Sequence, residues 1–229
     1  MNMTDQMILD LPARKTQGRA DFLITDSNAD AVAWLDRWPD WPGHALCLYG
    51  PEGSGKSHLL HWWCAQTNAR RLTPAQLLDA DVTELAALGA VALDNAGPAA
   101  GSKAAAEPLL HLYNLLREQG GYLLLAARQP PRQWQVSLPD LRSRLLAAPA
   151  VGIQAPDDRL LVAVMAKMFA DRQVRVGPNV LSYLATRIER SFAAAETAVM
   201  KLDRTSLSGR RPITVPLARM AMAAEEKND

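Results

Sequence analysis

The chain has 229 residues, 48% of them apolar, and its 25 Lys and Arg stand against 24 Asp and Glu for a formal net charge of +1. That length suits one large domain or two small ones, and the charge balance excludes a protein held on DNA mainly by bulk electrostatics, because no surplus of cations is there to displace counterions. No apolar run approaches the ~18 residues of a membrane span, no signal peptide is visible at the N-terminus, and a cytoplasmic location is expected.

Residues 1–20 read as a flexible polar tail carrying one apolar knot, QMILDLP. From Phe22 the pattern becomes globular. SNADAVAWLDRW places apolar residues at helical spacing behind Ser27 or Asn28 as an N-cap, and WPDWPG is a loop by its prolines and glycine. HALCLYG, LGAVALDNAG and YLLLAARQPP are short continuous apolar runs, the signature of buried parallel strands. SHLLHWWCAQ and PLLHLYNLLREQG, the latter closed by Gly120, are helices between them. RRLTP, at 70–74, is a weaker candidate for a further strand. Strand, helix, strand, helix, strand in that order predicts an α/β domain with a parallel sheet over 21–155. After Pro156 only helical periodicity remains, in DDRLLVAVMAKMFADRQV, PNVLSYLATRI and FAAAETAVMKLDRTSLSG, so a small all-α domain is expected over 156–229. Cys47 and Cys64 fall in apolar segments and read as buried thiols rather than as ligands or a disulfide.

Gly50 to Ser57, GPEGSGKS, fits G-x-x-x-x-G-K-[ST] between a strand and a helix. Gly50, Gly53 and Gly55 allow the turns that aim backbone amides inward, and those amides, Ser54 among them, together with the N-terminus of the next helix bind a diphosphate. Lys56 would reach the β and γ phosphates, and the Ser57 hydroxyl would hold Mg²⁺. The second strand ends in Asp94, the carboxylate such a site needs for the metal. The residue after it is Asn95, which can orient a water but cannot take its proton. Where the third strand ends, in Ala126-Ala127-Arg128, a polar γ-phosphate sensor would be expected. Both features predict that nucleotide, ADP or ATP, is held and that hydrolysis by this chain alone is weak. His58 follows the loop as a further neighbour of the nucleotide; His61 lies one helical turn from it, but both sit in a packing helix and a metal site there is not expected. The tryptophans at 34, 38, 41, 62 and 63 read as core and loop anchors, since no basic residues interleave them as a base-stacking platform would require.

FLITDSNADAVAWL, GPEGSGKSHLLHWW, VALDN, LYNLLREQGG, ARQPPRQWQVSLPDLRSRL and the helical segments after them resemble, in that order, the AAA+ core of the DnaA/Hda family of bacterial replication proteins, over about residues 20–220. The resemblance implies an AAA+ P-loop domain followed by a helical lid, with adenine enclosed near Phe22, Leu23 and Ile24. It implies that Arg144, in LPDLRSRL, is an arginine finger reaching the nucleotide of a neighbouring subunit, with Arg142 as the near alternative. It also implies that Arg190, in RIERSF, is a lid arginine facing nucleotide in its own chain. The initiators of the family continue into a DNA-binding domain, and this chain ends at Asp229, so specific origin binding is not expected.

QMILDLP then resembles the sliding-clamp-binding peptide of bacterial replication proteins, with Gln6, Leu9 and Leu11 as Q-x-x-L-x-L. In an extended peptide Leu9 and Leu11 point the same way and fill one apolar pocket while the Gln6 amide bonds its rim. The expected function is negative regulation of replication initiation: docking on the DNA-loaded clamp, the β subunit of DNA polymerase III, and stimulating ATP hydrolysis by the initiator DnaA. DNA would be met through the clamp, and a homodimer is compatible with the sequence. The alternatives are an autonomous ATPase, such as a helicase loader or DNA remodeller, and an adaptor that only links the clamp to another protein.

Overall fold

The computed structural model describes residues 24–209 and 212–223. Five strands, β1 (Ala45–Tyr49), β2 (Arg70–Leu72), β3 (Ala90–Leu93), β4 (Tyr122–Ala127) and β5 (Ala150–Gly152), form one sheet in the order β2-β3-β4-β1-β5. Every pairing is parallel. The three central strands are the three apolar runs, buried on both faces as all-parallel sheets are. Alternation then divides their side chains. Cys47, Val91, Leu93, Leu123 and Leu125 point into one core, under α3 (Pro74–Leu78), α4 (Val82–Ala87), α5 (Ala96–Gly101), α6 (Lys103–Glu118) and α7 (Pro139–Ala147). Leu46, Leu48, Ala92, Leu124 and Ala126 point into the other, under α1 (Ala29–Asp36) and α2 (Lys56–Thr67). Trp41 and Trp63 stack there at a ring separation of 5.6 Å, and the Trp41 indole N–H donates to the Trp34 carbonyl at 2.8 Å.

RRLTP does contain a strand, β2. It is also where α3 begins, with Thr73 and Gln76 in a reciprocal capping box. Helix α6 starts five residues before the expected PLLHL, at Lys103, and runs through Pro108. The alanines at 104–106 carry it: all three are strong helix formers, and Ala105 and Ala106 are buried. Both cysteines are free. Burial pushes the Cys47 thiol up to about 12 and the half-buried Cys64 to about 11, so neither is a ready nucleophile.

Four helices follow the sheet: α8 (Asp158–Asp171), α9 (Pro178–Ala185), α10 (Phe192–Gly209) and α11 (Val215–Ala223). Asp157 caps α8 by accepting from the Leu160 amide at 2.7 Å. Leu161, Met165, Phe169, Leu184, Val199 and Leu202 make a third core that is separate from the two sheet cores. Among the described residues no helix is long and apolar enough to cross a membrane.

Candidate functional site

A parallel sheet ends all its strands on one side, and the loops leaving those ends converge. Here the loop after β1 is GPEGSGKS. Gly53 and Gly55 adopt φ of +71° and +93°, a region closed to most residues with a Cβ, and Gly55 is the N-cap of α2. The turns aim the amides at the start of α2 into a cleft of about 430 Å³, within the range of small-ligand pockets.

The lid is built onto this loop. The Phe192 amide donates to the Gly53 carbonyl at 3.1 Å. A Cβ on Gly53 would overlap the Cβ of Ser191, and one on Gly55 would stand 2.9 Å from the Phe192 ring. Ser191 in turn caps α10, its hydroxyl accepting from the Ala194 amide at 3.1 Å. The glycines therefore do two things at once: they turn the chain, and they let the lid's third helix close against the turn.

Lys56 is turned onto its own loop, donating to the carbonyls of Gly50 at 2.9 Å and Pro51 and to the Ser54 hydroxyl at 3.2 Å. Burial draws its ammonium below the ordinary lysine range, and Arg128 adds to this while Asp94 and Glu52 oppose it. An incoming polyphosphate would offer this ammonium stronger, charged acceptors than the carbonyls it now holds. The Ser57 hydroxyl donates to Asp94 Oδ2 at 2.8 Å. That pair is a hard-oxygen donor set of the kind Mg²⁺ uses when substrate phosphates and water complete its shell, so the residues present fit the metal. Among the described residues no cluster of three or more His, Cys, Asp or Glu offers another metal site.

Asn95 follows Asp94 in the left-handed region, with φ of 55°, and lines a neighbouring groove together with Arg128. Arg128 bridges to Glu52 of the loop at 2.6 Å. His58 lines the main cleft. Ile24 packs against the α1–α2 core, while Phe22 and Leu23, with Gln6, Leu9 and Leu11, lie outside the described residues. Arg190 pairs with Asp158 at 3.0 Å; what the lid contributes to the cleft is Phe192 and one face of α8, Leu160, Val164, Lys167, Met168 and Asp171. That face had a signal, the i, i+4, i+8 row Leu160-Val164-Met168, but helical spacing alone does not say whether a stripe faces a core or a ligand.

Arg144 lies elsewhere. Its guanidinium is 5.9 Å from the Tyr113 ring centre and pairs with Asp140 at 3.1 Å. Tyr113 packs on His44 at 4.3 Å, and His44 is the residue before β1, whereas the phosphate loop leaves the far end of that strand. Five residues of strand span about 16 Å. Arg142, the alternative, is exposed on the same helix.

A five-stranded parallel sheet, a phosphate loop after β1, a carboxylate after β3 and a helical lid closing on the loop define a P-loop AAA+ protein. A family model for the lid domain of Hda matches residues 158–222. Domain III of the Thermotoga maritima replication initiation protein DnaA superposes with a TM-score of 0.77 at 18% identity, covering 89% of this chain and 94% of that one. AMPPCP-bound DnaA from Aquifex aeolicus gives 0.67 at 18% identity, covering 82% of this chain and 65% of that one, so the chain spans less than two thirds of that structure's length. The Thermotoga maritima RuvB Holliday junction branch migration motor gives 0.67 at 17% identity over 88% of this chain and 70% of that one. Residues 158–222 are thus similar to the Hda lid domain, and the chain shares the fold of the DnaA and RuvB structures.

Proposed function

We propose that this protein is a negative regulator of replication initiation, which holds ADP or ATP in the cleft and uses Arg144 to promote hydrolysis of ATP bound to a DnaA initiator. The observation that carries the reading is the separation of Arg144 from the chain's own phosphate loop by the length of β1. A guanidinium so placed is suited to a nucleotide on another subunit, where neutralising charge on the transferred phosphoryl group can be worth ~10³ to 10⁵ in rate. Asn95 supports the same division of labour, because the chain's own site lacks a base beside Asp94. Ser57 and Asp94 would hold Mg²⁺, which offsets phosphate charge when bound. Gln6, Leu9 and Leu11 would dock the chain on the sliding clamp, bringing it to DNA through that ring, in the cytoplasm.

The test follows phosphate release from ATP-loaded DnaA with clamp, DNA and this protein. Arg144→Ala should abolish the stimulation and leave clamp binding intact, and Gln6→Ala should lose both. Unchanged stimulation by Arg144→Ala refutes the finger. Brisk turnover by the isolated chain would favour the autonomous ATPase instead.

A further inference from the structure

Asp94, the carboxylate of the candidate metal site, pairs with a cation from its own chain, Arg71. β2 is the edge of the sheet, paired only with β3, and its Arg71 is in register with Ala92, two residues before Asp94. The Asp94 amide donates to the Leu72 carbonyl at 2.9 Å, which locks the two strand ends together. From there the Arg71 guanidinium donates to Asp94 Oδ2 at 2.6 Å, the same oxygen that accepts from Ser57 at 2.8 Å. The other oxygen accepts from the Asn95 amide at 3.0 Å. The Asp94 side chain is 18% exposed and that of Arg71 is 41% exposed, so solvent reaches the pair mainly from the arginine side, and Ser57, which bonds the same oxygen, lines the cleft.

We propose that Arg71 is a tethered cation standing at the divalent-metal position of the nucleotide site, so that ADP binding by this chain depends only weakly on Mg²⁺. A carboxylate oxygen has two lone-pair directions, and on Oδ2 both are taken by Ser57 and Arg71. A divalent ion reaching Oδ2 must displace the guanidinium or share its oxygen, and one using the remaining lone pair of Oδ1 still meets the like charge of Arg71, which weakens metal binding on the order of tenfold. The guanidinium is always charged and its fork suits phosphate as well as carboxylate, so it supplies part of the charge compensation that the metal otherwise brings.

The inference rests on the nucleotide-binding reading, and the experiment separates the two. ADP affinity of the full chain is measured by titration calorimetry with Mg²⁺ and with EDTA, for the unaltered protein, Arg71→Ala and Arg71→Lys. The unaltered protein should differ by less than about threefold between the conditions. Arg71→Ala should weaken about tenfold in EDTA and recover in Mg²⁺, and Arg71→Lys, which keeps the charge, should behave as the unaltered protein. With Mn²⁺ in place of Mg²⁺, paramagnetic resonance should show tighter metal binding to the Arg71→Ala·ADP complex. Equal affinities of Arg71→Ala in the two conditions, or a lysine variant that behaves as the alanine one, overturn the role of Arg71. Absence of ADP binding by the unaltered protein in both conditions overturns the nucleotide reading with it.

Discussion

The seat of the lid on the phosphate loop makes Gly53→Ala the most informative stability experiment, with Gly120→Ala as its control. The two glycines have nearly the same φ, +71° and +70°. Forcing a Cβ into that region costs about 1–2 kcal/mol, which for a chain of this size lowers Tm by about 2–8 °C. Around Gly120 there is nothing within 4 Å, so that conformational cost is the whole effect. At Gly53 the added methyl overlaps Ser191 Cβ and stands 3.2 Å from Ser191 Cα, both inside ordinary carbon–carbon contact of about 3.5–4.0 Å. Ser191 cannot rotate away, because its own backbone is the obstacle. It must retreat, and the 3.1 Å bond from the Phe192 amide to the Gly53 carbonyl goes with it. Since Phe192 also walls the cleft, Gly53→Ala should weaken ADP binding at least about tenfold, a loss of about 1.4 kcal/mol, whereas Gly120→Ala should leave it unchanged. Thermal melting and ADP titration read the two effects. Equal melting shifts for the two variants, with ADP affinity of Gly53→Ala within about twofold of the parent, would refute the argument that the lid is anchored through this glycine.

Asn95→Asp keeps a residue that tolerates the left-handed backbone and installs the missing base. ATP turnover by the isolated chain should rise about 100-fold or more, within the 10²–10⁴ that general bases contribute, and steady-state phosphate release that does not change would count against the weak-site explanation. His44 carries a pH effect. Burial, with Arg117 and Arg144 nearby, holds its pKa below 6.5 in the fold, against a partial restoring bond from the His44 ring to the Tyr113 backbone. Below about pH 6.5 the unfolded chain takes up a proton that the fold refuses. Stability should therefore fall as pH drops through 6.5 and level off below the folded pKa. His44→Phe should remove that component in urea titrations at pH 8 and 5.5; an identical pH slope in parent and variant would contradict it.

What could be read from the residues tracks how far each element is fixed by its own composition. β1, β3 and β4 are apolar for their whole length because both faces of each are covered, and no neighbour is needed to recognise them. β5 is different: Ala150 and Gly152 are exposed and only Val151 is buried, so nothing in AVG announces a strand. It exists through its pairing with Cys47, Leu48 and Tyr49. The short helices α3, α4 and α5 run five to six residues, too few turns for periodicity to register. The phosphate loop was legible because backbone geometry demands glycine at fixed spacing. The other wall of the cleft was not, since α8 presents the same apolar spacing to the ligand side as to the lid core. Arg71 was hidden for a related reason: its partner Asp94 is 23 positions away, and only strand register brings them together.

The proposed function also constrains how such a subunit can assemble. The phosphate loop lies at the end of β1 and Arg144 near its beginning, so one subunit presents its nucleotide and its finger on different surfaces. A finger that serves a neighbour therefore meets that neighbour through a heterologous, head-to-tail contact. A closed twofold homodimer instead joins one patch to its own copy, and it would leave Arg144 directed at a nucleotide only if both patches fell within that one interface. Asn95 sharpens the asymmetry. A partner that retains an acid at that position gains from the finger, whereas a second copy of this chain, lacking the base, gains less from the same contact. The productive neighbour on this argument is a different AAA+ subunit, seated with its phosphate loop against α7.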